Sequence, residues 1–546
     1  MTSRLWVRSS WLLGLSFAPF VACGGGGGNL GADCDPSAAS ACGEELICSP
    51  AADEGHVCTL APGADCDEGA KDTNGGCAAD ARCAVPAGSE EGAHAICLVS
   101  LGGTCDPEDP YCDDELTCAE TTSGEHRCYG KVVMRGDVTD TSNAAAIEDA
   151  RVLALDEEGY AVTDVAVTDI EGAYELEVPV VRDDEGHPID TTFTLQGSAQ
   201  NYEPFPRGAR VALPISTADA EATGNLWVIE QALTSIGLVP LPEKERFVAT
   251  GSLVGLDGDS NVGGALVVAS GPNGTFSGIT DKGGAFTLFN LLDGTYTVRV
   301  YADGMQVESL ELTVEGANLD ALTLNEVDEP TTTVTGSVQI VEGGGETSVI
   351  LVVEDTFDED AIRGEVPRGL RAPRSGRPSI TGEFTIEGVP AGRYVVLAAY
   401  ENDALVRDPD ANISGTDIVH IEIPAGTETF DMPDSFKVTQ ALATLAPGVD
   451  GPEAVSDKPM LQWADDSSED WYDVRVFDSF GEEVWNSLNL PSVSGGGVAE
   501  VQYGGPLEPG MYYQFRVSSW RDQGNGDASA IATTEDLRGV FFLPAP

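Results

Sequence analysis

Thr280-Asp281-Lys282-Gly283-Gly284-Ala285-Phe286 decides the fold of this chain, because the same turn is spelled again elsewhere. Thr168-Asp169-Ile170-Glu171-Gly172-Ala173-Tyr174 matches it at the Thr, Asp, Gly and aromatic positions, and Thr381-Gly382-Glu383-Phe384 is a shortened copy. Asp and Gly so placed make a tight hairpin turn, and the aromatic two residues on points into a core. Strands follow. In Thr295 to Tyr301, Tyr296, Val298 and Val300 share one face while Thr297 and Arg299 share the other, as a half-buried antiparallel strand requires. Tyr394, Val396 and Ala398 repeat the alternation. From residue 129 onward the texture is short strands punctuated by Gly, Asp and Pro, which predicts all-β sandwiches.

A second element follows the turn: Asn290-Leu291-Leu292-Asp293-Gly294-Thr295-Tyr296, and Glu387-Gly388-Val389-Pro390-Ala391-Gly392-Arg393-Tyr394. With the openings Thr250-Gly251-Ser252-Leu253 and Thr335-Gly336-Ser337-Val338, and with Gly263-Gly264-Ala265, these segments resemble the carboxypeptidase regulatory-like domain. The resemblance implies transthyretin-like sandwiches of about seven strands over residues 129–246, 247–329 and 330–437, structural or binding in character. The first copy lacks the second element, and the third lacks the turn aspartate.

Residues 438–546 carry Pro459-Met460-Leu461-Gln462-Trp463, then Tyr472-Asp473-Val474-Arg475-Val476, then Leu507-Glu508-Pro509-Gly510-Met511-Tyr512-Tyr513-Gln514-Phe515-Arg516-Val517. This order resembles a fibronectin type III domain, which implies Trp463 as the core tryptophan and Tyr513 as the residue whose hydroxyl pins a corner. If Tyr472, Val474 and Val476 point inward, then Trp471 and Phe477 point out, and Tyr512 and Trp520 likewise oppose Tyr513, Phe515 and Val517. The four form a candidate ligand surface, suited to sugar rings or a protein partner. The competing reading has them cover a sheet edge or pack against the third sandwich.

Twelve cysteines precede the sandwiches in three sets of four: Cys34, Cys42, Cys48, Cys58; Cys66, Cys77, Cys83, Cys97; Cys105, Cys112, Cys118, Cys128. Each set has Gly three residues before its first cysteine and Asp after it: Gly31 and Asp35, Gly63 and Asp67, Gly102 and Asp106. Modules of about 30 residues cannot bury a sufficient core, so residues 34–128 are read as three small disulfide modules with two bridges each. Three pairings per module stay open. His56, His94 and His126, near the last cysteine of each set, raise zinc as an alternative, but the Cys-x2-Cys spacing of zinc modules is missing. The cysteine rhythm, with Glu45-Leu46 and Glu115-Leu116, resembles Dickkopf-type cysteine-rich modules.

The thirteenth cysteine, Cys23, follows an N-terminal segment with Arg4, Arg8 and a stretch of about twelve apolar residues ending in Ala22. A membrane span needs about 20 apolar residues, so this stretch reads as a cleavable signal over residues 1–22. Phe20-Val21-Ala22-Cys23 resembles the lipobox of bacterial lipoproteins. That implies acylation of Cys23, a Gly-rich tether over 23–33, and residence in the bacterial cell envelope, at the outer membrane or cell surface.

The 546 residues carry 28 Lys and Arg against 91 Asp and Glu, a net charge of −63. Nucleic acid and anionic lipid head groups are therefore poor partners. The chain has no His-x-x-Glu pair, no Gly-x-Ser-x-Gly elbow and no Gly-x-x-x-x-Gly-Lys loop, so the expectation is a non-catalytic protein with no cofactor and no metal site. His187, in a turn, and His420, on a strand, are the remaining candidates for a general base. Asp257, Asp259 and Asn261 alternate oxygen ligands, but Val268 stands where a calcium loop needs Glu. Arg363, Arg368, Arg371, Arg374 and Arg377 read as a mobile, solvated loop balancing Asp355, Asp358 and Asp360. The fold class is mostly β: tandem transthyretin-like and fibronectin type III-like sandwiches after small disulfide-rich modules. The activity expected is display of modules for polysaccharide or envelope-protein partners, with a structural spacer, or an accessory subunit of a surface hydrolase, as alternatives.

Overall fold

The computed structural model describes residues 30–544, except 31, 38–41, 43–44, 51–55, 67–75, 87–88, 90–92, 207–211, 257–259, 342–346, 358–363, 376–377, 400–417, 434, 440, 467–468, 494–495, 523, 525–527 and 535–537. Cys23 and its flanking segments, Asp257, Asp259, Asp358, Asp360, Arg363 and Arg377 thus lie outside the described residues. Strands dominate, and the only helical elements among the described residues are three single 3-10 turns. None is long and apolar enough to cross a membrane. The chain forms two compact units, one covering residues up to 118 with 125–129, the other 119–124 with 130–546.

In the first unit every module is stapled identically: Cys34–Cys48 with Cys42–Cys58, Cys66–Cys83 with Cys77–Cys97, and Cys105–Cys118 with Cys112–Cys128. The third and fourth cysteines stand opposite one another across a hairpin, Cys48 facing Cys58 and Cys83 facing Cys97, yet each bonds back to the preceding loop. The first cysteine's N–H donates to the carbonyl two residues before the last, of His56, Ala95 and His126 in turn. That position thus serves through its backbone, which is why Ala95 can stand where the other two sets have histidine. Gly63 and Gly102 both take φ near +80°, which accounts for the glycine before each of these sets. The core of the second module consists of Cys77, Ala78, Ala81 and Cys97, with Leu60, Cys66 and Cys83 packed against it.

The second unit contains four sandwiches. In the first three, the opening strand (Val132–Asp140, Phe247–Val254, Thr332–Val341) is central, antiparallel to the strand after the repeated turn and parallel to a late strand. The second sheets order as Ile215–Ser216, Thr192–Ser198, Arg151–Leu155, Ala166–Val167 in the first sandwich and Gly274–Ile279, Leu266–Gly271, Gly294–Tyr301, Leu310–Val314 in the second.

The quoted turn explains itself atom by atom. Asp281 Oδ1 accepts the N–H groups of Gly283 and Ala285 at 3.0 and 2.8 Å, and Asp169 does the same for Glu171 and Ala173 at 3.0 and 2.9 Å. Thr280 Oγ1 donates to Val262 O and accepts from Ala265 N, while Thr168 Oγ1 repeats this with Ile147 O and Ala150 N. Gly284 and Gly172 adopt φ of +86° and +79°, and a Cβ at either would meet a carbonyl oxygen at 2.6 or 2.7 Å. Phe286 and Tyr174 enter the cores behind them. The second element is a corner lock: Tyr296 OH donates to Leu292 O at 2.9 Å and Tyr394 OH to Pro390 O at 2.8 Å.

In the last sandwich, Trp463 is 1 % exposed and meets Tyr472 edge to face at 5.4 Å. Tyr513 OH accepts the Glu508 N–H at 3.0 Å, closing the corner that the motif order implies.

The sandwiches of this unit pack against one another. Leu153, Leu155, Ala161 and Val165 of the first form an apolar cluster with Ile279 of the second. Asn290, at φ +67°, accepts from Asn201 N and donates to Tyr202 O, clasping the same two modules. Leu266, Val268 and Tyr301 of the second join the core of the third. That is why the run from Leu266 to Ala269 is buried on both faces and reads as continuously apolar.

Candidate functional site

The arginine string is no solvated loop where it is described. Arg368 and Arg371 are buried, at 5 and 6 % exposure. Arg368 Nη1 lies 3.3 Å from Asp303 Oδ1, its guanidinium sits 4.4 Å over the Tyr160 ring, and its Nη2 donates to Asn261 O. Arg374 pairs with the other oxygen of Asp303, hydrogen-bonds Tyr160 OH, and lies 3.4 Å from Glu158. Tyr160 belongs to the first sandwich, Asp303 to the second and both arginines to the third, so one buried carboxylate joins three modules. Burial pulls Arg368 below the usual arginine value, and the Asp303 charge opposes that. Asp355, expected to be balanced by this string, is instead held by Arg393 at 2.6 Å.

The aromatic surface of the last module has the predicted face. Trp471, Asp473, Arg475 and Phe477 lie opposite Trp520, Ser518, Arg516 and Gln514 across two antiparallel strands, while Tyr472, Val474, Val476, Phe515 and Val517 fill the core. Trp471 and Trp520 are each half-buried, with parallel rings 2° apart in plane and centroids at 6.3 Å. Phe477 is half-buried beside Arg475, which pairs with Glu483 at 2.7 Å.

Tyr512 departs from the strip. Its ring stacks on Phe542 at 4.5 Å, and its hydroxyl donates to Gln231 Oε1 of the first sandwich at 3.2 Å. Nearby, a Cβ at Gly237 of the first sandwich would meet Phe480 at 2.9 Å. The last module therefore docks on the first sandwich here, where the competing expectation was the third. Burial raises the Tyr512 phenol above its ordinary value, with Asp219 adding to the shift.

The histidines are dispersed. His187 Nδ1 sits 3.0 Å from Asp183 in an exposed turn, and His420 lies 3.4 Å from Glu354 on the exposed face of the strand Val419–Ile423. Sulfurs of Cys34, Cys42 and Cys58, and their equivalents in the other modules, lie within 4.8 Å of one another because two disulfides sit side by side. A disulfide sulfur is not the thiolate that zinc requires.

No protein-family model matches the chain, and no curated protein does. Among solved structures it is similar to the Bacillus anthracis TIE protein, at 12 % identity and a TM-score of 0.13, covering 72 % of this chain and 65 % of that one. The chain thus spans just under two thirds of that protein's length. It is also similar to the shaft pilin SpaA of Lactobacillus rhamnosus GG, at 11 % identity and a TM-score of 0.13, covering 36 % of this chain and 97 % of the pilin. A DUF3823 family protein from Bacteroides uniformis aligns at 14 % identity and a TM-score of 0.20, covering 39 % of this chain and all of that one. The fold itself defines a tandem β-sandwich protein led by disulfide-stapled modules.

Proposed function

We propose that the chain is a non-catalytic, lipid-anchored protein of the bacterial cell envelope whose last module holds polysaccharide. The observation that carries this reading is the Trp471–Trp520 pair: two parallel indoles, partly open to solvent, directly across two strands. Rigid aromatic side chains on a sheet offer apolar surface to sugar rings at small cost in side-chain entropy. Phe477 extends the same face. Tyr512 supports module docking in place of ligand contact. A surface dense in carboxylates keeps the display soluble and repels nucleic acid.

Retention on a panel of insoluble envelope polysaccharides tests the reading. The wild-type protein is expected to bind at least one, and the Trp471→Ala/Trp520→Ala variant to lose most of that retention with an unchanged far-UV circular dichroism spectrum. Equal retention by both proteins, or none by either, sinks the polysaccharide assignment. Anchoring has its own measurement. Labelled fatty acid is expected to enter the protein through Cys23, and label persisting in Cys23→Ser would refute acylation there.

A further inference from the structure

Between the first two sandwiches lies a cleft of about 460 Å3, inside the range of about 300 to 1,000 Å3 typical of small-ligand sites. One wall is the outer face of the strands Arg151–Leu155 and Thr192–Ser198, where Arg151 stands directly opposite Ser198 and Gln196 opposite Leu153. The facing wall is the outer face of the second sandwich's first sheet, where Thr250 pairs with Thr287 and Ser252 stands two residues further along the strand. Leu153, Ile279 and Phe286 supply apolar lining.

Several polar groups of the cleft are already engaged, the Asp281 carboxylate among them through its own turn. Thr250 Oγ1 donates to Asp320 at 3.1 Å, and Ser277 Oγ to Glu365 at 3.4 Å. Arg151, Gln196, Ser198, Ser252 and Thr287 differ: among the described residues none has a side-chain hydrogen bond or ion pair. An unpaired guanidinium is notable in a chain where acids outnumber bases 91 to 28. Its fork suits a planar carboxylate, and three hydroxyls and an amide around it suit a polyol. Glu365 and Asp281 also line the cleft, which disfavours a doubly charged phosphate while leaving acceptors for ligand hydroxyls.

We infer that this cleft binds an acidic saccharide, a short chain containing uronic acid, with Arg151 pairing its carboxylate and Gln196, Ser198, Ser252 and Thr287 engaging its hydroxyls. The site is separate from the aromatic surface and stands whether or not that surface binds polysaccharide.

Isothermal titration of the full-length protein with tetragalacturonate, and with neutral galactotetraose, decides it. Tetragalacturonate is expected to bind at one site per chain, more tightly than the neutral sugar, and Arg151→Gln is expected to weaken it about tenfold or more. Thr287→Trp, which fills the cleft from the other wall, is expected to abolish uptake, and melting curves check that both variants fold. Absence of tetragalacturonate binding overturns the inference. So does equal affinity for the neutral sugar, or wild-type affinity in either folded variant.

Discussion

Replacing Asp303 with asparagine is expected to destabilise the second unit by about 3 to 5 kcal/mol, the cost of stranding a buried charge when its partner is neutralised. The Asp303 side chain is 8 % exposed and that of Arg368 only 2 %, so the guanidinium left behind has little access to water. Arg374, at 45 % side-chain exposure, can turn outward once freed, and Arg374→Gln is expected to cost about 1 kcal/mol or less. Urea unfolding followed by far-UV circular dichroism reads the difference. Far-UV signal is preferred because four of the tryptophans, Trp463, Trp471, Trp485 and Trp520, lie in the last module and would report mainly on it. Equal midpoints for Asp303→Asn and the wild type would show that the three-module junction is dispensable.

Reduction is expected to unfold the first unit and spare the second. Losing a native disulfide from a small domain costs about 2 to 5 kcal/mol, and each module carries two. Little else holds these modules, since the core of the second is two cysteines and two alanines with a few partly buried neighbours. The sandwiches contain no cysteine, and their cores are aliphatic and aromatic. Dithiothreitol is expected to make residues 34–128 sensitive to protease while a fragment from about residue 130 onward survives. A chain that resists cleavage throughout after full reduction would overturn this account. A chelator without reductant is expected to change nothing, and unfolding by it would restore the zinc reading.

What the sequence made legible was local. The Asp-Gly turn could be read because Asp and Gly act on backbone atoms within a few residues, and the Tyr513 corner because its hydroxyl reaches only five residues back; the matching locks of Tyr296 and Tyr394 went unread. Strand parity placed Trp471 and Trp520 on an outward face correctly. Parity does not say what covers a face, so the contact of Tyr512 with a residue 281 positions earlier was beyond it. The arginine string was misread for the same reason. Its nearest acids in sequence suggested neutralisation in solvent, whereas its partner Asp303 is 65 or more residues away in another module. Disulfide pairing stayed open because cysteines facing each other across a hairpin are as plausible a bond as the crossed arrangement that forms. The Arg151 cleft had no sequence signal, since a lone arginine alternating with Leu153 and Leu155 reads as an ordinary strand. Asn290 had one: an asparagine ahead of the corner, a residue that tolerates a left-handed backbone, stood in the middle copy.

The docking of Tyr512 and Phe480 on the first sandwich bears on biogenesis. Translation at about 5 to 20 residues per second separates Gln231 from Tyr512 by about 14 to 56 s. Until Tyr512 and Phe480 arrive, a folded first sandwich presents an unfinished seam at Gln231 and Gly237, open to chaperones or to a neighbouring polypeptide. A first sandwich that has not yet received Tyr512 and Phe480 is therefore distinguishable from a docked one by that open seam.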